Sequence, residues 1–264
     1  MLRQQGGFTL VELAIVMTII GLLIGGILKG QELMMNARLT ATIAQVRSYE
    51  SAVTTFRDTY SSIPGDMRNA QARLQGCTAV CNPPTAHAGN NVVGLINWTM
   101  AGLWPMQAIP INNPNTVPQT ETLLFWKHLV HADLISGVAP VSNGFVASEW
   151  GVTHPTARIG GGFVVGYADG ANPPAGGVAG SNPSGMMLAI ITQPNDDLDD
   201  VAGTKPMTAG RVAQIDRKMD DGRPTTGSVQ AFGATASCIT DAVARAYAES
   251  TTGNDCGVIF RIQG

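Results

Sequence analysis

The chain has 264 residues, 13% of them charged, and a net charge of −3. That balance leaves no basic stripe to neutralise phosphates, so composition argues against a nucleic-acid binder. Its 31 glycines and 15 prolines fall mostly after residue 60 and predict a loop-rich body rather than a helical bundle.

The chain opens with Met1–Gly7 (MLRQQGG), a short polar segment with Arg3 and two closing glycines. Phe8–Leu28 (FTLVELAIVMTIIGLLIGGIL) follows, 21 positions with a single charge, Glu12, and no proline. As a helix this run is about 32 Å long, enough to cross a bilayer's hydrocarbon core. A carboxylate at the centre of a membrane helix costs roughly 2.5–3.5 kcal/mol even on the lenient insertion scale, so Glu12 needs a reason. It lies close to the amine that a cut after Gly7 would create, and the two charges could neutralise each other within one chain or between neighbours. A secretory signal places its apolar core before the cleavage site. Here the apolar core follows the junction, so a cut removes the charged leader and keeps the membrane helix.

The run Gly7–Glu12 (GFTLVE) resembles the type IV prepilin signal, found in pilins and type II secretion pseudopilins. The resemblance implies cleavage after Gly7 by a prepilin peptidase, N-methylation of the new terminal Phe8, and an assembly role for Glu12. Many type IV pilins carry a proline where this chain has Lys29. The expected points of helix loosening are therefore Gly21, Gly25 and Gly26, since glycine weakens a helix by about 1 kcal/mol relative to alanine.

Beyond Leu28, Met35, Leu39, Ile43, Val46, Tyr49, Val53, Phe56 and Tyr60 recur at steps of three or four, which is one apolar stripe on a helix. Arg38, Gln45, Arg47 and Arg57 lie off the stripe. One helix is predicted over 8–62, apolar all round in its first half and amphipathic in its second, with the stripe packed on a sheet. Ile63–Asp66 (IPGD) stops it with a turn. Residues 67–119 read as an irregular insertion containing Pro83–Pro84 and the apolar clusters Val92–Ile96 and Trp98–Trp104. Thr120–Ile135 predicts a second helix ended by Gly137. Strands are expected at Gly144–Trp150, Arg158–Tyr167 and Met186–Thr192, with a bulge at Gly160–Gly162 and a flexible loop over 169–185. Pro206–Met219 predicts a third helix with Gly222 just past its end. Val229–Phe232 and Gly257–Ile262 are short strands, the latter terminal in the sheet.

Cys77, Cys81, Cys238 and Cys256 all follow the membrane helix. With Arg3 and the initiator amine held in the cytoplasm, the body faces an oxidising periplasm, where disulfides are the default. Four cysteines permit three connectivities. The local pairs Cys77–Cys81 and Cys238–Cys256 are favoured. Zinc is the rival at the first pair, but no second ligand pair is near in sequence, and His87 is the histidine close to it. His128 and His131 sit three apart on the second helix with no third ligand placed by sequence, so packed or exposed histidines are the simpler reading. Acidic groups cluster at Asp196, Asp197, Asp199 and Asp200, and again at Asp216, Asp220 and Asp221. Calcium takes six to eight oxygens, and some pseudopilins bind it in a loop of the globular domain. Asp216, Asp220 and Asp221 are thus calcium candidates, against the simpler reading of a solvated acidic helix end. No other cofactor is expected.

Gly-x-Ser-x-Gly, a P-loop and His-Glu-x-x-His are all absent, and Gly160–Gly162 lacks a following lysine, so no catalysis is expected. The expected fold is α+β and pilin-like: a long N-terminal helix packed on an antiparallel sheet, with loop-rich insertions and short extra helices. The expected organisation is a leader (1–7), a transmembrane and assembly helix (8–28), its amphipathic continuation (29–62) and a periplasmic globular domain (63–264). The resemblance implies a filament subunit, a minor pilin or pseudopilin. Its partners would be other subunits, the prepilin peptidase and an inner-membrane assembly platform. The alternative is a membrane-tethered periplasmic binding or enzymatic module that uses the helix only as an anchor.

Overall fold

A computed structural model describes residues 9–83, 88–93, 121–139, 149–169, 184–193, 203–234, 236–240 and 245–262. Helix α1 runs unbroken from Leu10 to Tyr60. It continues through Gly21, Gly25, Gly26 and Gly30, where a side chain would meet nothing within 4 Å. The amphipathic stripe is real. Leu39, Ile43, Val46, Tyr49, Val53 and Phe56 are buried, and Met35 and Tyr60 are half-buried at its two ends. Each fully buried large apolar side chain contributes about 1.5–3 kcal/mol, so packing of this half outweighs its intrinsic helix propensity. Gln45, at the edge of the stripe, pins the body to the helix: its amide donates to the Thr156 carbonyl (3.0 Å) and its oxygen accepts from Arg158 N–H (3.0 Å).

The helix ends at Ser61, a left-handed residue whose N–H still reaches the Arg57 carbonyl. The turn that follows needs Gly65. It sits at φ +89°, and a Cβ there would overlap the Glu121 carbonyl. The insertion is not wholly irregular: it holds a four-residue helix α2 (Ala70–Arg73) and a 3-10 turn (Ala79–Cys81). Buried Asp66 fixes the path of the chain by accepting N–H bonds from Gly89 (2.5 Å), Asn90 (3.2 Å) and Asn91 (2.7 Å). Residues 94–120, with the expected Trp98–Trp104 cluster, lie outside the described residues.

Helix α3 (Glu121–His131) presents Phe125, Trp126 and Leu129 to α1, and Tyr49 meets Trp126 and Phe163 edge to face. Four strands follow, β1 (Gly162–Asp169), β2 (Ser184–Ile191), β3 (Val229–Gly233) and β4 (Cys256–Arg261), with helix α4 (Ala209–Met219) between β2 and β3. They form one antiparallel sheet in the order β1-β2-β4-β3. The terminal strand β4 is thus inserted between β2 and β3, with Leu188 opposite Phe260 and Val229 opposite Phe260 on its two sides. Alternation divides the sheet. Phe163, Val165, Leu188, Ile190, Val258 and Phe260 join the core shared with the helices. Val164, Met187, Ala189, Phe232 and Ile259 make a second cluster on the opposite face, with Trp150 against it.

Several expectations change: β4, expected as the terminal strand of the sheet, lies inside it, and the second helix, expected to reach Ile135, ends at His131. Gly160 and Gly161, at φ +126° and +66°, form a turn before β1 instead of a bulge within it, because Gly161 lies against the Ile191 carbonyl where a side chain cannot fit. Glu149 and Trp150 do not belong to a strand; Trp150 makes an isolated bridge with His154 in a tight turn, and residues 144–148 lie outside the described residues. Helix α4 starts at Ala209, so Pro206 precedes its cap Thr208 instead of occupying its first turn.

Candidate functional site

The first half of α1 has no partner within the described residues. Leu10, Ile15, Ile20, Leu23, Leu28 and Met34 are all exposed, and the most apolar 18-residue window of the helix, with mean hydropathy 2.5, contains no buried residue. This is one candidate membrane span by length and composition.

Glu12 stands at the start of that surface. Thr9 caps the helix, with Oγ1 accepting from Glu12 N–H (3.3 Å), while the Glu12 carboxylate accepts from both Thr9 N–H and Thr9 O–H at 2.9 Å. This reciprocal capping box follows from Thr and Glu three residues apart at the head of an apolar run. It ties the single charge of the run to otherwise unpaired donors at the helix N-terminus, where the helix dipole favours an anion. Gly7 and Phe8 lie outside the described residues. At the other end of the apolar run, exposed Lys29 pairs with Glu32 one turn along (2.6 Å).

Both local disulfides are present, Cys77–Cys81 and Cys238–Cys256, with Cα separations of 5.8 and 5.1 Å. The second joins the turn at Cys238 to the first residue of β4. Around the first, His131 is the described histidine whose ring nitrogen lies near the two sulfurs, while His87 lies outside the described residues. Cys77, Cys81 and His131 bring their ligand atoms within 4.8 Å of one another, with both sulfurs committed to the disulfide. His128 is buried and structural. Its Nδ1 accepts from Gly65 N–H (2.9 Å), so Nε2 carries the proton and donates to the Cys81 carbonyl (2.8 Å). Sequence spacing could show His128 on a helix but not that its two ring nitrogens join segments 63 and 47 residues away.

Asp216, Asp220 and Asp221 converge at the end of α4, with carboxylate oxygens within 4.8 Å of one another. Protein donors already serve them. Buried Asp216 accepts from Gly222 N–H (3.1 Å) and Tyr247 O–H (2.7 Å). Asp220 accepts from Ser228 N–H, Ser228 O–H and Val229 N–H. Asp221 accepts from Arg223 N–H (2.9 Å) and Thr226 O–H (2.6 Å). Burial pushes the Asp216 carboxyl up to about 6, against the Tyr247 bond, while the Thr226 bond holds Asp221 below the usual carboxylate range. Burial, with the Asp216 charge beside it, raises the Tyr247 phenol. The trio closes the loop between α4 and β3; a cation entering it would compete with these donors. Asp196, Asp197, Asp199 and Asp200 lie outside the described residues.

Residues 2–28 match the family model described as the prokaryotic N-terminal methylation motif, the prepilin-type signal of type IV pilins and pseudopilins. No curated protein and no solved structure matches the chain.

Proposed function

We propose that the chain is a structural subunit, a minor pilin or pseudopilin, of a type IV pilus or type II secretion-like filament. The observation that carries this reading is the junction of the methylation motif with one continuous helix. The second half of that helix is consumed by the chain's own core, and the first half leaves a complete apolar surface for other molecules. An anchor requires only hydrophobic length. It does not require a Gly-Phe junction or a carboxylate at the head of the run.

In this reading residues 1–7 are the leader, 8–28 the transmembrane and assembly segment, 29–62 its amphipathic continuation and 63–264 the periplasmic body. The leader is cut between Gly7 and Phe8 by a prepilin peptidase, and Phe8 is then methylated. The bare glycine lets the peptidase approach the backbone. Before assembly the helix spans the inner membrane, and the disulfides fit an oxidising periplasmic side. Within the membrane the capping box supplies Glu12 with donors and so reduces the cost of a carboxylate in lipid. On assembly, the methylated amine of one subunit meets Glu12 of another, where low dielectric strengthens their attraction. The apolar half-helices then form the filament's core and the bodies face outward. An assembly platform and a separate motor supply the work; the sequence lacks a nucleotide-binding motif.

The test is co-polymerisation. Tagged chain is expressed with the assembly machinery of its host, and fibres are sheared and purified. The chain is expected in the fibre fraction with Phe8 as its methylated first residue by intact mass. A chain retaining Met1–Gly7, or one confined to membranes while fibres form normally, defeats the reading and favours a module that uses the helix only as an anchor.

A further inference from the structure

The Cys77–Cys81 disulfide and His131 form a cluster that filament assembly leaves unused. The two sulfurs and a ring nitrogen of His131 lie within 4.8 Å of one another. Cys77 and His131 are half-buried, and Cys81 is buried. The imidazole is already in the form that a metal ligand needs. Its Nδ1 lies 3.1 Å from the Gln75 carbonyl oxygen. A carbonyl only accepts, so Nδ1 carries the proton and Nε2 holds the lone pair. That Nε2 is buried and has no hydrogen-bond partner among the described residues. A buried orphan acceptor needs an explanation, and redox chemistry or an ion supplies one. Ligating histidines donate their other ring N–H to a carbonyl or carboxylate in this way, which fixes the tautomer and the ring orientation.

The backbone holds the two cysteines in place independently of the bond between them. Cys77 N–H donates to the Leu74 carbonyl (3.3 Å) and Cys81 N–H to the Thr78 carbonyl (2.9 Å). The Cys81 carbonyl in turn accepts from His128 (2.8 Å), which shares the last turn of α3 with His131. The disulfide closes a sequence separation of only 4, and so short a loop stabilises a fold least. Cys-x3-Cys falls within the spacing typical of zinc-binding cysteine pairs. Two thiolates and one imidazole make a three-ligand set that leaves the fourth tetrahedral position to water. With the S–S bond intact both sulfurs are spent and the site is shut. Parting them opens it on the side of half-buried Cys77.

We propose that Cys77, Cys81 and His131 bind a zinc ion once the disulfide is reduced, so that the pair exchanges between a disulfide and a metal site. A dithiol supplies the two electrons. Thiol–disulfide exchange breaks the S–S bond, leaves two protein thiols and turns the dithiol into a disulfide. Zinc then displaces both thiol protons as two Zn–S bonds form, and Nε2 donates its lone pair. The full chain in detergent is reduced with a phosphine, freed of it under argon, and titrated with Co2+ as a spectroscopic probe and then with Zn2+. Peptide mapping after alkylation records the state of each cysteine. Thiolate-to-cobalt charge transfer and tetrahedral cobalt bands are expected to saturate at one ion per chain and to bleach on adding zinc. Zinc is expected to protect Cys77 and Cys81, but not Cys238 and Cys256, from alkylation, and the oxidised chain is expected to bind neither ion. His131→Gln keeps a polar side chain but removes the nitrogen ligand. It is expected to weaken binding at least about tenfold, the loss seen even for outer-shell partners of metal ligands, and to shift the cobalt bands, which a merely structural histidine would leave in place. Cys77→Ser is expected to abolish the two-thiolate spectrum. Resistance of Cys77–Cys81 to reduction in the folded chain, absence of thiolate bands, equal binding by the oxidised chain, or wild-type affinity in His131→Gln overturns the proposal. None of these outcomes bears on filament assembly, so the two readings fail separately.

Discussion

Lowering the pH should unlock the body through its buried histidines, and His128 allows the effect to be worked out. The ring is fully buried, stacked on Phe56 at 6.1 Å, and bridges Gly65 N–H to the Cys81 carbonyl. Burial holds its pKa down, from an ordinary 6.5 to about 4. A depressed histidine favours the neutral form in the folded state, so its contribution is complete above pH 6.5 and is lost as the pH falls toward 4. Protonation would also place a proton on Nδ1, which faces the Gly65 N–H donor and must then break that bond. By linkage, the loss at pH 5 is about 2 kcal/mol for this residue, rising to about 3 kcal/mol below pH 4. His154, also buried and held down to about 4, adds a loss of the same sign. Asp216 and Glu50, whose carboxyls burial raises, oppose part of it.

The assay is urea unfolding of the full chain in detergent between pH 7 and pH 5, with NMR of the histidine ring protons in the folded state. Wild-type protein should lose stability over this window, and the His128 ring should not titrate above about pH 5. His128→Gln keeps an acceptor for Gly65 and a donor for Cys81 but cannot charge, so its stability should fall less steeply, by one proton's uptake. A native His128 ring that titrates near 6.5, or an unchanged pH slope in His128→Gln, refutes the reasoning.

Three further outcomes are expected. Glu12→Ala should leave cleavage and membrane insertion intact, because alanine makes the segment more apolar, but should reduce recovery in sheared fibres at equal membrane abundance; wild-type recovery rejects the pairing of Glu12 with a neighbour's amine. Replacing Cys238 and Cys256 together by serine opens a loop with a sequence separation of 18 and should cost about 3 kcal/mol on the chain-entropy estimate, read as a lower unfolding midpoint; removing the shorter Cys77–Cys81 loop should cost less, and the reverse order contradicts the argument. Gly65→Ala forces a side chain into the left-handed region against the Glu121 carbonyl and should cost roughly 2–5 kcal/mol, whereas alanine at the solvent-facing Gly137 turn should cost only the conformational part.

Periodicity exposed α1 because a 51-residue helix repeats its burial pattern many times. Leu39, Ile43, Val46, Val53 and Phe56 could each be named from spacing alone. Strand existence was legible for the same reason at β2, where Met186–Ile191 is a continuous apolar run buried on both faces. The position of β4 was not legible. A terminal segment suggests an edge, yet β4 pairs with both β2 and β3, and nothing local in CGVIFR distinguishes a central strand from an edge strand. The disulfides were favoured correctly by locality. The donors that occupy Asp216, Asp220 and Asp221 were invisible, because Tyr247, Ser228 and Thr226 lie 5–31 residues away and meet the carboxylates only through tertiary structure. Asp66 was legible only as part of the Ile-Pro-Gly-Asp turn, since nothing in the sequence shows one buried aspartate gathering the amides of Gly89, Asn90 and Asn91.

The two halves of α1 do not meet at one residue. The apolar run ends at Leu28, and continuous burial in the body begins at Leu39. The interval rises about 16 Å along the helix axis, more than the roughly 5–8 Å of headgroup region on one side of a bilayer. With residues 8–28 in the membrane, as proposed, the body stands clear of the lipid on a helical neck. That neck is not simply polar. It opens with the Lys29–Glu32 pair, whose charges suit the headgroup level, and then presents Leu33 and Met34 at 62% and 58% exposure. An exposed surface ion pair contributes only a few tenths of a kcal/mol to the helix, so neither it nor the body explains why apolar residues persist there. In the proposed filament, the neck is the level at which a neighbouring subunit's bare helix would pass this subunit's body, and exposed Leu33 and Met34 would be the side chains buried at that crossing.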